Sequence, residues 1–249
     1  MKTKIKKYFP PLLILVMASA VAAAGEKVAE AELHENVTNA FLNPGKASSL
    51  PRVLIIGDSI SIGYTDPVRG NLKGVAGVFR PPVNCQHSGY GLAQIKTWLG
   101  TGKWDVIHFN FGIWDTHMVD TNGKLVRGVD MSPPTAEIRV RHTPEQYRDN
   151  LAKILDVLKG TGARLIWAST TPIMSRTGER FEAIPTLNRT AAELMKSRGV
   201  AIDDLYEFVL PHVKEWQSPD KVHFNAEGNK HLGKQVADCI QRAIEAKDQ

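Results

Sequence analysis

The chain has 249 residues, 43% of them hydrophobic and 23% charged, which excludes a disordered polymer and suits a globular α/β protein of one large domain or two small ones. Two cysteines exclude a disulfide-dense scaffold and show no zinc-like spacing. The net charge of +5 belongs to the first 24 residues, which hold four Lys and no acid; without them the balance is +1, and nucleic-acid binding loses its main warrant.

Lys2, Lys4, Lys6 and Lys7 form a positive segment ahead of an apolar run over residues 11–24. That run ends in Ala20-Val21-Ala22 and Ala22-Ala23-Ala24, both of the small-x-small cleavage type. The pattern reads as a secretory signal peptide. A membrane anchor fits less well, because the run is shorter than the ~20 residues a spanning helix needs. The mature chain is therefore expected to be exported, periplasmic or extracellular, and without a membrane span. Residues 25–50 lack a sustained period and read as a linker or N-terminal arm. The domain is expected over 51–249.

Strand-like and helix-like segments alternate from Arg52 onward. Val53-Leu54-Ile55-Ile56 is a short apolar strand ended by Gly57, and Gly77-Val78-Phe79 is a weaker one. Residues 93–99 predict a short helix, and Val106-Ile107-His108-Phe109 the next strand. Thr143-Pro144-Glu145-Gln146 starts a helix, with Thr143 as cap, Pro144 in the first turn and Gln146 completing a capping box. Tyr147, Leu151, Ile154, Leu155 and Leu158 then recur at helical spacing. Residues 164–169 read as a strand, 184–197 as a helix, 200–202 as a strand and 225–243 as the last helix. Residues 119–142 break the rhythm with Gly, Pro and mixed charges, and predict a long loop or hairpin insertion beside the site. The alternation implies parallel strands joined by right-handed crossovers, hence a three-layer α/β/α sandwich with a central parallel sheet. Such sheets carry their working residues at the carboxyl ends of the strands.

Two motifs carry the chemistry. Gly57-Asp58-Ser59 closes the first strand and sets a serine on a tight turn, although the tripeptide alone is a common turn or helix cap. Asp220-Lys221-Val222-His223 precedes the last helix. A serine hydroxyl needs a neighbouring base, histidine has the right range, and the base needs an orienting carboxylate. Residues three apart in one turn can supply base and orienter together.

In these two blocks the sequence resembles the SGNH/GDSL-type serine hydrolases, over about residues 52–244. The resemblance implies a flavodoxin-like sheet, no metal and no cofactor. It also implies Ser59 as nucleophile and oxyanion donor, His223 as general base and acid, and Asp220 as orienting carboxylate. The family's second block, a glycine whose N–H enters the oxyanion hole, matches Gly89, with Gly91 a close rival. The third block departs from the family pattern: in Gly112-Ile113-Trp114-Asp115 a tryptophan stands where the family has its oxyanion asparagine. Losing such a donor costs about 10²–10³ in rate where it is used. Asn110 and the Trp114 indole N–H are the candidate replacements, Asn110 weakly preferred; the alternative is a hole of two backbone donors with Asn110 a buried structural amide.

The expected function is that of a secreted serine esterase working through an acyl-enzyme, with a carbohydrate O-acetylesterase favoured because Trp114 would narrow the acyl pocket. A glycan O-acyltransferase and a non-catalytic carbohydrate-binding protein on the same fold are the alternatives. The substrate partner is then an acylated glycan. Arg176 and Arg180, in the loop after the fourth helix-linked strand, would flank the substrate but read first as solvated charges. His87, His108, His117 and His142 have no metal-ligand spacing, and His117 reads as a polar residue at the rim of the cleft. Cys85 and Cys239 are expected as free thiols.

Overall fold

The computed structural model describes residues 39–45, 49–126, 135–174 and 179–246, with side chains omitted for 179–182. The proposed leader and Arg176 lie outside these residues, and only the backbone of Arg180 is described. The compact unit begins at Ala40. Residues 40–45, read from sequence as part of the arm, belong to it: Asn43 Nδ2 donates to the Arg80 carbonyl and Asn43 Oδ1 accepts from the Arg80 N–H, both at 2.9 Å.

Five strands form one parallel sheet: β1 (Arg52–Ile56), β2 (Gly77–Phe79), β3 (Val106–Phe109), β6 (Arg164–Ala168) and β7 (Ala201–Asp203), in the order β2-β1-β3-β6-β7. Side chains alternate across a strand, so β1 feeds two cores. Val53 and Ile55 join one core with Tyr64 and Val68 of α1 (Ser59–Asn71) and Leu232, Val236 and Ile240 of α7 (Ala226–Glu245). Leu54 and Ile56 join the other, with Ile95 of α2 (Ser88–Leu99), Leu151 and Ile154 of α3 (Pro144–Lys159) and Leu194 of α4 (Glu179–Ser197). These two cores, one on each sheet face, make the three layers that the alternation implied.

Thr143 caps α3 with the reciprocal box to Gln146, as its sequence demands, and Asn225 caps α7 by accepting from Gly228 N at 2.9 Å. Helix α2 starts five residues before its expected position. Its cap is His87, whose Nδ1 accepts from Tyr90 N at 3.2 Å, and Gly89 and Gly91 hide the first turn from a propensity reading. Gly91 is there for packing: a Cβ would stand 2.4 Å from Phe111 Cζ. Helix α4 also starts early, at Glu179, and carries Pro185 inside it rather than in its first turn. The short helices α5 (Leu205–Val209) and α6 (Val213–Trp216) were not foreseen. The insertion is a hairpin, β4 (Met118–Asp120) against β5 (Ile138–Val140).

The chain leaves β1 toward β2 and then crosses back to β3 on the other side. The strand order therefore reverses between β1 and β3, the switch point at whose carboxyl ends such sheets form their binding crevice. Gly57-Asp58-Ser59 and Asn110-Phe111-Gly112 occupy those ends.

Candidate active site

Ser59 is the first residue of α1, and Asp58 is its cap, with Oδ1 accepting from Ile60 N at 3.0 Å. The turn is tight. Ser61 Oγ donates to the Asp58 carbonyl at 2.7 Å, and a Cβ on Gly57 would stand 2.9 Å from Ser61 Oγ. Beneath it lies Arg80, which the sequence reading missed. Its buried guanidinium donates to Ser61 Oγ at 3.2 Å, Thr65 Oγ1 at 3.0 Å and the Gly57 carbonyl at 3.3 Å. Arg80 is a lone charge between Phe79 and Pro81 in sequence, and nothing local signals its burial.

The second motif folds into a compact turn. Lys221 takes a left-handed φ of +57°, its N–H donates to the Ser218 carbonyl, and Ser218 N donates to the His223 carbonyl, both at 2.8 Å. Gln217 and Phe224 close the turn as an antiparallel bridge. Asp220 and His223 thus face the same way, and His223 Nδ1 lies 2.5 Å from Asp220 Oδ2. Asp220 Oδ1 accepts from the N–H groups of Val222 and His223, both at 3.0 Å. Burial alone would raise the Asp220 carboxyl; the His223 bond and the two backbone N–H groups outweigh it and hold the carboxyl below its ordinary value.

The two motifs meet across 164 residues: Ser59 Oγ lies 2.8 Å from His223 Nε2. With the Nδ1 proton engaged by Asp220, Nε2 of the neutral ring is an acceptor for the Ser59 hydroxyl.

Ser59 is the first residue of α1 and Gly89 the second of α2, positions whose N–H groups a helix leaves unbonded. Gly91 N instead donates to the His87 carbonyl at 2.9 Å, which removes it as a rival. Asn110 is corrected as an oxyanion donor. Both hydrogens of its buried amide are used, toward the Ala168 carbonyl at 2.8 Å and Thr170 Oγ1 at 3.2 Å, so it ties β3 to the end of β6. Trp114 is half-buried in a 3-10 turn over Ile113–Thr116, its ring 4.9 Å from that of His117. Asp115, fully buried, accepts from Ser88 N at 3.1 Å and Ser88 Oγ at 2.5 Å and pins the start of α2 to this turn. Cys85 and Cys239 are both free.

A doubly wound parallel sheet with a Ser–His–Asp relay at its carboxyl edge is the frame of an α/β/α acylhydrolase. The model of the GDSL-like lipase/acylhydrolase family matches residues 55–231, and the chain belongs to that family of ester-hydrolysing proteins. No curated protein matches the chain. Solved structures share the fold. A lipase/acylhydrolase from Enterococcus faecalis is 20% identical, with a TM-score of 0.61 over 77% of this chain and 96% of its own. The acetylxylan esterase Axe2 from Geobacillus stearothermophilus is 16% identical, with a TM-score of 0.63 over 78% and 95%. A GDSL-like lipase from Bacteroides thetaiotaomicron is 15% identical, with a TM-score of 0.58 over 85% and 98%.

Proposed function

We propose that the protein is an exported serine esterase acting on O-acetylated carbohydrate. The observation that carries the serine mechanism is the relay itself, Ser59 Oγ to His223 Nε2 at 2.8 Å and His223 Nδ1 to Asp220 Oδ2 at 2.5 Å. Ser59 Oγ attacks the ester carbonyl while its proton passes to His223 Nε2. The N–H groups of Ser59 and Gly89 hold the developing oxyanion. As the C–O bond to the alcohol breaks, His223 returns the proton to the leaving oxygen. Water then attacks the acyl-enzyme, giving its proton to His223, and the acid leaves as Ser59 recovers its hydrogen.

Acetyl is the favoured acyl group because Trp114, in the block beside the site, is large enough to shorten an acyl pocket. One neighbour in fold is an acetylxylan esterase. Export is favoured by the positive segment and apolar run of residues 1–24.

The test is hydrolysis of p-nitrophenyl acetate by wild type, Ser59→Ala and His223→Ala, without residues 1–24. Turnover in wild type that falls at least about 10³-fold in each variant is the expected result. Wild type no faster than Ser59→Ala would sink the serine mechanism, and an octanoyl ester preferred over acetyl would sink the short pocket.

A further inference from the structure

A second imidazole is held as His223 is held. His142 Nδ1 lies 2.6 Å from Asp115 Oδ1, against 2.5 Å for His223 and Asp220. Asp115 is fully buried and already fixed by Ser88, so it is an immobile acceptor. With the proton of the neutral ring committed to Nδ1, Nε2 is left as an acceptor. In His223 that atom meets Ser59 Oγ; in His142 no donor among the described residues meets it.

The free edge lies next to the proposed site. His142 Nε2 is 3.1 Å from where a Gly89 Cβ would stand, against the first turn of α2. The loop entering that helix is tied to the serine turn by Cys85 N donating to the Gly57 carbonyl at 3.2 Å. The ring is also reachable from solvent: it lines an open groove of about 350 Å³ with Thr116, Val140, Pro144 and Leu187.

His87 stands beside it, ring centroids 5.2 Å apart. Burial, and then the nearby Arg141 charge, push His87 down to about 4, so it is neutral at pH 7. Its Nδ1 accepts from Tyr90 N, which places its proton on Nε2 as a donor. The two neighbouring rings therefore offer one acceptor and one donor. A hydroxyl group, which both gives and takes a hydrogen bond, matches that pair; an alkyl group does not.

We propose that His142, oriented by Asp115, accepts a hydrogen bond from a hydroxyl on the alcohol portion of the substrate, with His87 as companion donor, so that the site selects esters of polyhydroxylated alcohols. An acetyl group has no hydrogen to give, which places the recognised hydroxyl on the alcohol side of the ester. The assignment rests on the esterase reading above and narrows it.

The experiment measures kcat/KM of wild type, His142→Phe, His142→Gln and Ser59→Ala on two acetyl esters, p-nitrophenyl acetate and a monoacetylated methyl glycoside that keeps free hydroxyls. Thermal unfolding of each variant is followed alongside. The expected result is that the glycoside-to-nitrophenyl ratio falls by about tenfold or more in His142→Phe, through a higher KM for the glycoside. His142→Gln, whose amide oxygen accepts, recovers part of that ratio. An unchanged ratio, or a parallel loss on both esters, overturns the assignment; the parallel loss with a lowered Tm marks His142 as structural. Wild type no faster than Ser59→Ala on either ester removes the esterase reading, and this assignment with it.

Discussion

The Arg80 guanidinium donates to the carbonyl of Gly57 at 3.3 Å, two residues before Ser59, from a side chain that is 1% exposed. No carboxylate among the described residues is bonded to it; its other acceptors are hydroxyls and carbonyls, including Ser61 Oγ, Thr65 Oγ1 and the Val83 carbonyl at 3.5 Å. A buried cation held by dipoles acts as a brace under the serine turn. Truncating it to Leu strands these acceptors, each worth about 1–3 kcal/mol when left unpaired, offset in part by losing the cost of burying the charge. Arg80→Leu is expected to lower Tm by about 4–8 °C, the shift that about 2 kcal/mol gives in a domain of this size. A Tm within 1 °C of wild type would show that the brace carries no net stability.

Asp58 is the buried acid next to Ser59, and its Oδ2 has no hydrogen-bond partner among the described residues. Burial pushes its carboxyl up to about 6, against the pull of the Ile60 N–H and of the His223 and Arg80 charges. The folded value is above the ordinary 3.8, so the folded state holds the proton more tightly than the unfolded chain. Stability from this group is full below about 3.8 and is lost as pH rises through about 6, by up to about 3 kcal/mol. Asp58→Asn keeps an oxygen for the Ile60 N–H and removes the titration. Urea unfolding of both proteins between pH 4 and pH 7 should show wild type losing ground against Asp58→Asn as pH rises; parallel curves contradict the burial argument.

Asp220 acts on His223 through the Nδ1 bond, while half of its side chain remains in water. Asp220→Asn preserves size and offers one oxygen to the Val222 and His223 N–H groups, but puts an N–H₂ where Nδ1–H needs an acceptor. The imidazole then loses its fixed tautomer. A fall in kcat of at least about 10² is expected, with KM and Tm little changed. Activity close to wild type would mean that the serine does not depend on an oriented histidine.

A Cβ at Gly112 would sit 2.0 Å from Thr170 Oγ1. That hydroxyl cannot step aside freely, because it donates to the Phe111 carbonyl at 3.0 Å and accepts from Asn110. Gly112→Ala should destabilise by about 1–3 kcal/mol by overpacking. The same substitution in a Thr170→Ala background should cost less, measured by urea unfolding; equal costs in both backgrounds would place the strain elsewhere.

The alternation of strands and helices was legible from residue 52 onward because each element carries its own signal. Four apolar residues ended by Gly57 mark β1, and the box of Thr143 and Gln146 marks α3. The start of α2 was not legible, since its cap is a histidine and its glycines serve Phe111 and the neighbouring His142 rather than the helix. The Ser59 and Asp220–His223 motifs were legible because a tight turn after a strand and a carboxylate three residues before a histidine are local patterns.

Arg80 and His142 left no such trace, and Asp115 was legible only as a member of the third block, not as an anchor. Each depends on partners far away in sequence: Arg80 on Gly57 and Ser61, Asp115 on Ser88, and His142 on Asp115. The role of Asn110 went the same way, since an amide after a strand looks alike whether it faces a substrate or the carbonyl of Ala168. By itself the sequence determined the periodicities, the caps and the two motifs, all properties of a few neighbouring residues. The tertiary structure alone decided which donors remain free at the crevice between β1 and β3, because a hydrogen bond is satisfied by whatever the fold brings within about 3 Å.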